Sequence, residues 1–276
     1  MLKFILLLII ILCVINIRSL FETYSNKNNN NVNMVICGCA RDNGKYLPDV
    51  LKKINEITKL CNKYYIIIYE NDSIDNTLEL LTEFNKKHKD KCHIISENNI
   101  DKIYPKRTHR LGYTRNKILD YIEQNEFNDK YNYYLNMDLD DVNVNLDVNS
   151  IKRVLKSRLN WDVVSANQKD YYDYWALRTE KYNNNSWAEG LHPALSNNKH
   201  LWGKVDKINK PFKVLSAFGG LAIYKMDKIK NCKYDGIYKN KYSKEEEDCE
   251  HVEFHKQIRE KNGGDKQYII PYLLNN

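Results

Sequence analysis

Three carboxylates crowd into four residues at Asp138-Leu139-Asp140-Asp141, directly after the run Tyr133-Tyr134-Leu135-Asn136-Met137. Side chains packed that closely repel one another and favour their protonated forms unless a cation sits among them. An all-oxygen donor set suits a hard divalent ion, Mn²⁺ or Mg²⁺, which can also bridge two phosphate oxygens. If extended backbone continues past the run, Asp138 and Asp140 project together and Asp141 points elsewhere. A solvated acidic turn is the competing reading; the position at a strand end favours a metal site on Asp138 and Asp140.

Two more polar clusters also follow apolar runs. In Cys39-Ala40-Arg41-Asp42-Asn43 a strand-to-helix turn offers backbone N–H groups, and Arg41 has the charge to meet a phosphate. In Glu70-Asn71-Asp72-Ser73-Ile74-Asp75-Asn76-Thr77, Asp75 has the place of an ordinary helix N-cap. Glu70 and Asp72 are surplus to capping and are assigned to a ligand's N–H or hydroxyl groups.

Elements that would position these clusters can be read from periodicity. Val35–Cys39, Tyr64–Tyr69, Cys92–Ser96 and Tyr131–Met137 are rich in branched and aromatic residues and predict strands. Between them, Tyr46–Cys61, Asn76–His88 and Thr108–Gln124 carry apolar residues at helical spacing. Strand-helix-strand order with short links predicts an α/β, Rossmann-like, mostly parallel sheet flanked by helices in a single domain. Such sheets bind ligands beyond the carboxyl ends of their strands, where all three polar clusters fall.

With these segments in this order, the chain resembles a GT-A-fold nucleotide-sugar glycosyltransferase over nearly all of residues 33–276. Asp138-Leu139-Asp140 resembles the DxD motif, whose carboxylates bind the donor's divalent cation. Gly112-Tyr113-Thr114-Arg115-Asn116 resembles a helix motif whose arginine faces the donor, and Phe218-Gly219-Gly220-Leu221-Ala222-Ile223-Tyr224 resembles the strand beside the donor sugar. Tyr69-Glu70-Asn71-Asp72-Ser73, with Asp75 and Thr77, is similar to the capsule-associated glycosyltransferases of fungi and to related proteins of large DNA viruses. Asp72 stands where that pattern usually has glycine, which leaves the base contact open between Glu70 and Asp72.

The resemblance implies donor-side roles for Arg41, Glu70, Asp72, Asp75, Arg115, Asp138, Gly219 and Gly220. In Cys249-Glu250-His251-Val252-Glu253-Phe254-His255 it implies Glu250 as general base, His251 as a further metal ligand and His255 as the reserve; the alternative is a solvated charged helix. Asp141 serves the acceptor or only the turn. Tyr171-Tyr172-Asp173-Tyr174-Trp175-Ala176-Leu177-Arg178 is dense in aromatics that stack on sugar faces, and it assigns Tyr172, Asp173, Trp175 and Arg178 to the acceptor side. Trp187–His192 is read as a covering loop. The expected reaction moves a sugar from a nucleoside diphosphate to a glycan, protein or lipid hydroxyl. The alternatives are a sugar-phosphate nucleotidyltransferase, for which Gly38-Cys39-Ala40-Arg41-Asp42 is a poor phosphate loop, and a non-catalytic glycan-binding protein that kept the fold.

Composition narrows the classes. Hydrophobic content of 42% and aromatic content of 12% predict a folded chain. A net charge of +7 is dispersed, with acidic residues interleaved, so no nucleic-acid stripe is expected. The seven cysteines form no metal pattern, and pairing among Cys61, Cys92, Cys232 and Cys249 stays open. The apolar run Phe4–Ile15, with Lys3 before it, predicts a signal anchor over residues 1–18, or a cleaved signal peptide, followed by a polar stem over 19–32. That predicts a single-pass membrane protein with a cytosolic N-terminus and its catalytic domain in an ER- or Golgi-type lumen, or a secreted domain after cleavage. Of two glycosylation sequons, Asn71 is expected to be blocked by folding and Asn184 to be open to modification.

Overall fold

Four parallel strands form the first half of the sheet, and each is made where the sequence is most branched and aromatic. The computed structural model describes residues 31–181, 203–239, 245–264 and 266–275. In order come β1 (Asn33–Ala40), α1 (Leu47–Thr58), β2 (Lys63–Asn71), α2 (Thr77–His88), β3 (Cys92–Glu97), α3 (Ile100–Ile103), α4 (Arg107–Gln124), α5 (Phe127–Lys130) and β4 (Tyr133–Met137). Then follow α6 (Val148–Leu155), β5 (Val163–Asn167), β6 (Phe212–Lys213), β7 (Leu221–Lys225), α7 (Met226–Ile229), β8 (Ile237–Lys239), β9 (Glu245–Glu247), α8 (Glu250–Asn262) and β10 (Gln267–Leu274).

The eight-stranded sheet runs β3-β2-β1-β4-β7-β5-β10-β6, and β8 pairs with β9 separately. β3, β2, β1 and β4 are parallel, so the ends of β1, β2 and β4 lie side by side on one edge. This is the edge on which the three polar clusters were expected. β7 runs antiparallel between β4 and β5, pairing Leu221 with Met137. Its start therefore abuts the end of β4, which brings Gly219-Gly220 to the acidic run.

Apolar side chains fill both faces of the sheet. Leu47, Val50, Leu51, Ile54 and Ile57 of α1 cover one face together with α2 and α6, while Ile118, Leu119 and Ile122 of α4 join Phe254 and Ile258 of α8 on the other. Each fully buried aliphatic or aromatic side chain contributes roughly 1.5–3 kcal/mol. The architecture is the α/β arrangement expected from the sequence, a mostly parallel sheet flanked by helices.

One expectation needs correction. Among the described residues no helix is long and apolar enough to cross a membrane. The longest, α4, carries Arg107, Arg110, Arg115, Lys117, Asp120 and Glu123 along its length. The segment 1–18 lies outside the described residues. The single-pass membrane assignment is accordingly set aside, together with the lumenal placement built on it. Cys61, Cys92, Cys232 and Cys249 are all free thiols, as are Cys37 and Cys39. Nearly all of the stem, Asn184 and the Trp187–His192 loop also lie outside the described residues.

Candidate active site

Two cavities open along the carboxyl edge of the sheet, and Arg107, Leu111 and Asp138 line both. The first, about 250 Å³, lies over the ends of β1 and β4, walled by Cys39, Arg41, Asn43, Asn71, Arg110 and Asp140 among others. The second, about 210 Å³, lies over the start of β7 and is walled by Arg115, Tyr172, Asp173, Trp175, Gly220 and Glu250 among others.

Asp138 leaves the last residue of β4 half-buried, its N–H donating to the Gly220 carbonyl at 2.9 Å. Asn143 closes the turn by donating to both the Asp138 and Gly220 carbonyls, each at 2.8 Å. Asp140 accepts weakly from the Val142 N–H at 3.3 Å. Burial pushes the Asp140 carboxyl up to about 6, the Asp138 and Asp141 charges push the same way, and the Val142 N–H only partly opposes them. Asp141 is exposed, begins a 3₁₀ turn and lines neither cavity. Of the two roles read for it, acceptor or turn, its position favours the turn and gives no support to a catalytic part.

Gly219 and Gly220 take φ values of +64° and +79°, a left-handed backbone that L side chains rarely adopt. A Cβ at Gly220 would lie 2.6 Å from Val142 Cγ1, and one at Gly219 would lie 2.7 Å from the Ala166 carbonyl oxygen. Conformation and close packing both require glycine here.

Arg115 projects from α4 into a fully occupied socket. Its Nε donates to Glu250 Oε1 at 2.9 Å, one Nη to Asn136 Oδ1 at 2.9 Å, and the other Nη to Asp138 Oδ1 at 3.2 Å. Burial works against its charge, yet Glu250, Cys39 and Asp138 outweigh that and hold its pKa well above the ordinary value. Arg115 therefore acts on Asp138 and is not an arm free to grip a phosphate. Glu250, read from sequence as a general base, is 3% exposed and already accepts from Arg115. A carboxylate locked to a buried guanidinium is a structural counter-charge first.

His251 lines the second cavity, stacked on Phe218 with ring centroids 3.9 Å apart. Its Nε2 has no hydrogen-bond partner among the described residues and lies 3.6 Å from Glu250 Oε1. Burial, Arg115 and His255 all hold its pKa well below the usual range, so the ring is neutral. His255 shares the helix face, but four residues of rise, about 6 Å, carry it past the cavity. It is wholly buried, with Nε2 2.9 Å from the Tyr224 hydroxyl, and is corrected from reserve ligand to core residue.

The carboxylates after β2 hold loops together. Glu70 accepts from the Ser73 N–H and the Ser96 hydroxyl, Asp72 from Asp101 N–H and Asn71 Nδ2, and Asp75 from the N–H groups of Gly44 and Thr77. None of the three lines either cavity; their neighbour Asn71 does. Asn71 is 5% exposed, in keeping with a sequon closed by folding. Arg41 does line the first cavity, half-paired with Asp101 at 3.1 Å.

Sequence reasoning missed Arg107 and Arg110, the first-turn guanidinium groups of α4 that line the first cavity. Their spacing, two arginines three apart at a helix start after Pro105, was the available signal.

On the second cavity, Tyr172 is 56% exposed and Trp175 half-buried. Asp173 accepts from the Gly219 N–H at 2.8 Å. Burial pushes its carboxyl up to about 6 and Asp138 adds to this, while the Gly219 N–H opposes it. Arg178 is instead buried against Asp248 at 2.7 Å and lines neither cavity, so its acceptor assignment is corrected.

Among the described residues no group of three or more His, Cys, Asp or Glu is gathered closely enough to hold a metal unaided. Two hard carboxylates, one of them raised by burial and then by its neighbours' charge, fit a divalent cation whose remaining ligands are oxygens of a bound molecule.

No curated protein matches the chain in sequence. Among solved structures it is similar to M. tuberculosis glucosyl-3-phosphoglycerate synthase, at 12% identity and a TM-score of 0.47, over 90% of this chain and 72% of that one. It is also similar to S. aureus TarS residues 1–349, at 11% identity and a TM-score of 0.46, over 87% of this chain and 58% of that one. Mannosyl-3-phosphoglycerate synthase from Rubrobacter xylanophilus matches at 14% identity and a TM-score of 0.42, over 74% of this chain and 56% of that one. The family model described as Cryptococcal mannosyltransferase 1 matches residues 33–257, a span that takes in both cavities from Cys39 to His251. The chain belongs to that family and is a glycosyltransferase.

Proposed function

We propose that the protein transfers a hexosyl group from a nucleoside-diphosphate donor in the first cavity to a hydroxyl of a glycan, protein or lipid acceptor in the second. The observation that carries this reading is that Asp138 lines both cavities. A group held at Asp138 stands between the two bound molecules, where transfer requires it. Mannose is the first donor sugar to test, given the family's name.

Asp138 and Asp140 would hold a divalent cation whose remaining ligands are donor oxygens; His251, on the second cavity, is not gathered with them. When bound, Mn²⁺ or Mg²⁺ supplies charge neutralisation to the leaving diphosphate. The chain's own contribution begins with Arg41, Arg107 and Arg110, which line the first cavity and would supply charge for phosphate oxygens. Arg115 keeps the Asp138 carboxylate oriented through Oδ1. Tyr172 and Trp175 present ring surface to the acceptor. Asp173 is the group placed to take a hydroxyl proton if the anomeric centre inverts, since Glu250 is already held by Arg115.

The test is a panel of nucleotide sugars with and without Mn²⁺, reading donor hydrolysis and binding by calorimetry. Metal-dependent binding of at least one donor, abolished in Asp138→Ala, is expected. No binding across a broad panel would overturn the reading in favour of a glycan-binding role.

A further inference from the structure

The Arg115 socket contains two residues that never reach either cavity. Asn136, at 0% exposure in β4, accepts a hydrogen bond from one Arg115 Nη on its Oδ1 and donates from Nδ2 to the Tyr234 hydroxyl at 3.2 Å. Tyr234 lies in the segment between α7 and β8, about 120 residues from Arg115 in sequence, and is 3% exposed. Its main chain is pinned to the residue after Arg115: Tyr234 N–H donates to Asn116 Oδ1, and Asn116 Nδ2 to the Tyr234 carbonyl, each at 2.8 Å. The same segment is pressed onto α4 further along. A Cβ at Gly236 would meet the Thr108 carbonyl oxygen at 2.2 Å, and the Thr108 hydroxyl donates to the Gly236 carbonyl at 2.9 Å. The Tyr234 ring stacks on Phe254, with centroids 4.0 Å apart, and lies under the Arg115 guanidinium at 5.9 Å.

A guanidinium has a rigid planar fork, and its direction is fixed only when its nitrogens have separate partners. Glu250 fixes the Nε end, but a single pairing leaves the Nη end free to swing about that bond. Asn136 removes this freedom, and an amide can itself flip unless its Nδ2 has an acceptor. The Tyr234 hydroxyl is that acceptor.

We infer that Asn136 and Tyr234 are positioning residues: acting in series on the face of the sheet that α4 and α8 cover, they lock the Arg115 guanidinium so that one Nη meets Asp138 Oδ1. This rests on the proposed use of Asp138 at the junction of the two cavities, but its physical content, an immobilised guanidinium, is measurable without turnover.

The test uses Tyr234→Phe, which keeps the ring and its stacking while removing the hydroxyl, and Asn136→Ala as the harsher companion. In the full-length protein labelled with ¹⁵N-arginine, Arg115 should show separate Nη signals from restricted rotation, and Tyr234→Phe should merge them. With an active donor, Tyr234→Phe should lower kcat by about tenfold, the scale of lost outer-shell support, with acceptor KM unchanged. Separate Nη signals persisting in Tyr234→Phe would overturn the inference, even if thermal stability had fallen. Merged signals in a protein that turns over no donor would uphold the positioning role and count instead against the proposed function.

Discussion

Replacing Asp140 by asparagine should stabilise the metal-free protein at neutral pH. The folded-state carboxyl, raised from 3.8 to about 6, binds its proton more tightly than the same group in the unfolded chain. Stability from this group is therefore lost as pH rises from near 4 to above 6, and the full cost is present at pH 7.5. The interval corresponds to at most about 3 kcal/mol. Partial solvent screening of the half-buried side chain reduces this to roughly 1–2 kcal/mol. Asparagine keeps an Oδ1 for the Val142 N–H and nearly the same shape, so little else changes. For a domain of this size the gain is a rise in Tm of about 2–8 °C. Thermal unfolding in EDTA, followed by circular dichroism at pH 7.5 and pH 4.0, would show the gain at the first pH and most of it gone at the second. Adding Mn²⁺ should then raise the wild-type Tm more than the variant's. An equal gain at both pH values, or none at pH 7.5, would refute the account in which burial, aided by the neighbouring charges, raises the Asp140 carboxyl.

Four other outcomes are expected. Gly220→Ala places a Cβ 2.6 Å from Val142 Cγ1 at a φ of +79°, and should cost about 1–3 kcal/mol in denaturant unfolding. Arg178→Met strands Asp248 and should destabilise by about 3 kcal/mol while leaving acceptor KM unchanged; a raised KM without a stability loss would restore its acceptor role. Arg107→Ala should raise the KM for donor by about tenfold through a lost charged contact, whereas Tyr172→Ala should raise the KM for acceptor alone. If Asp173 takes the acceptor proton, kcat/KM should rise with pH through about 6, where the group ionises, and that limb should vanish in Asp173→Asn.

The strands and helices were legible because each is coded locally. Tyr64–Tyr69 falls inside β2, and the second predicted helix, Asn76–His88, begins one residue before α2 and ends with it. The carboxyl-edge argument then brought Arg41, Asp138 and Asp140 to one cavity with no side-chain information. What sequence could not show was which polar groups the fold itself engages. Glu70 and Asp72 look surplus to capping, yet their oxygens are engaged by Asn71 and Ser73 in the same loop and by Ser96 and Asp101, 26 and 29 residues on. Glu250 looks like a free acid until Arg115, 135 residues earlier, is seen against it. Helical spacing grouped His251 with His255 on one face, but depth along the helix axis separates a cavity residue from a core residue. The positive φ at Gly219 and Gly220 is a feature glycine marks locally, because its backbone freedom is a local property.

The antiparallel course of β7 makes the site intolerant of changes in chain length. Asp138 meets Gly220 through one rung of the β4–β7 ladder, and Leu221, Ala222 and Ile223 fix that rung by their pairing with Met137, Asn136 and Leu135. A single inserted or deleted residue in that strand would exchange its two faces. The wide-φ glycines would then move off the acidic run, and Ala222 and Tyr224 would leave the packing they share with α8. Relatives that diverge in length should therefore absorb the difference outside residues 218–225.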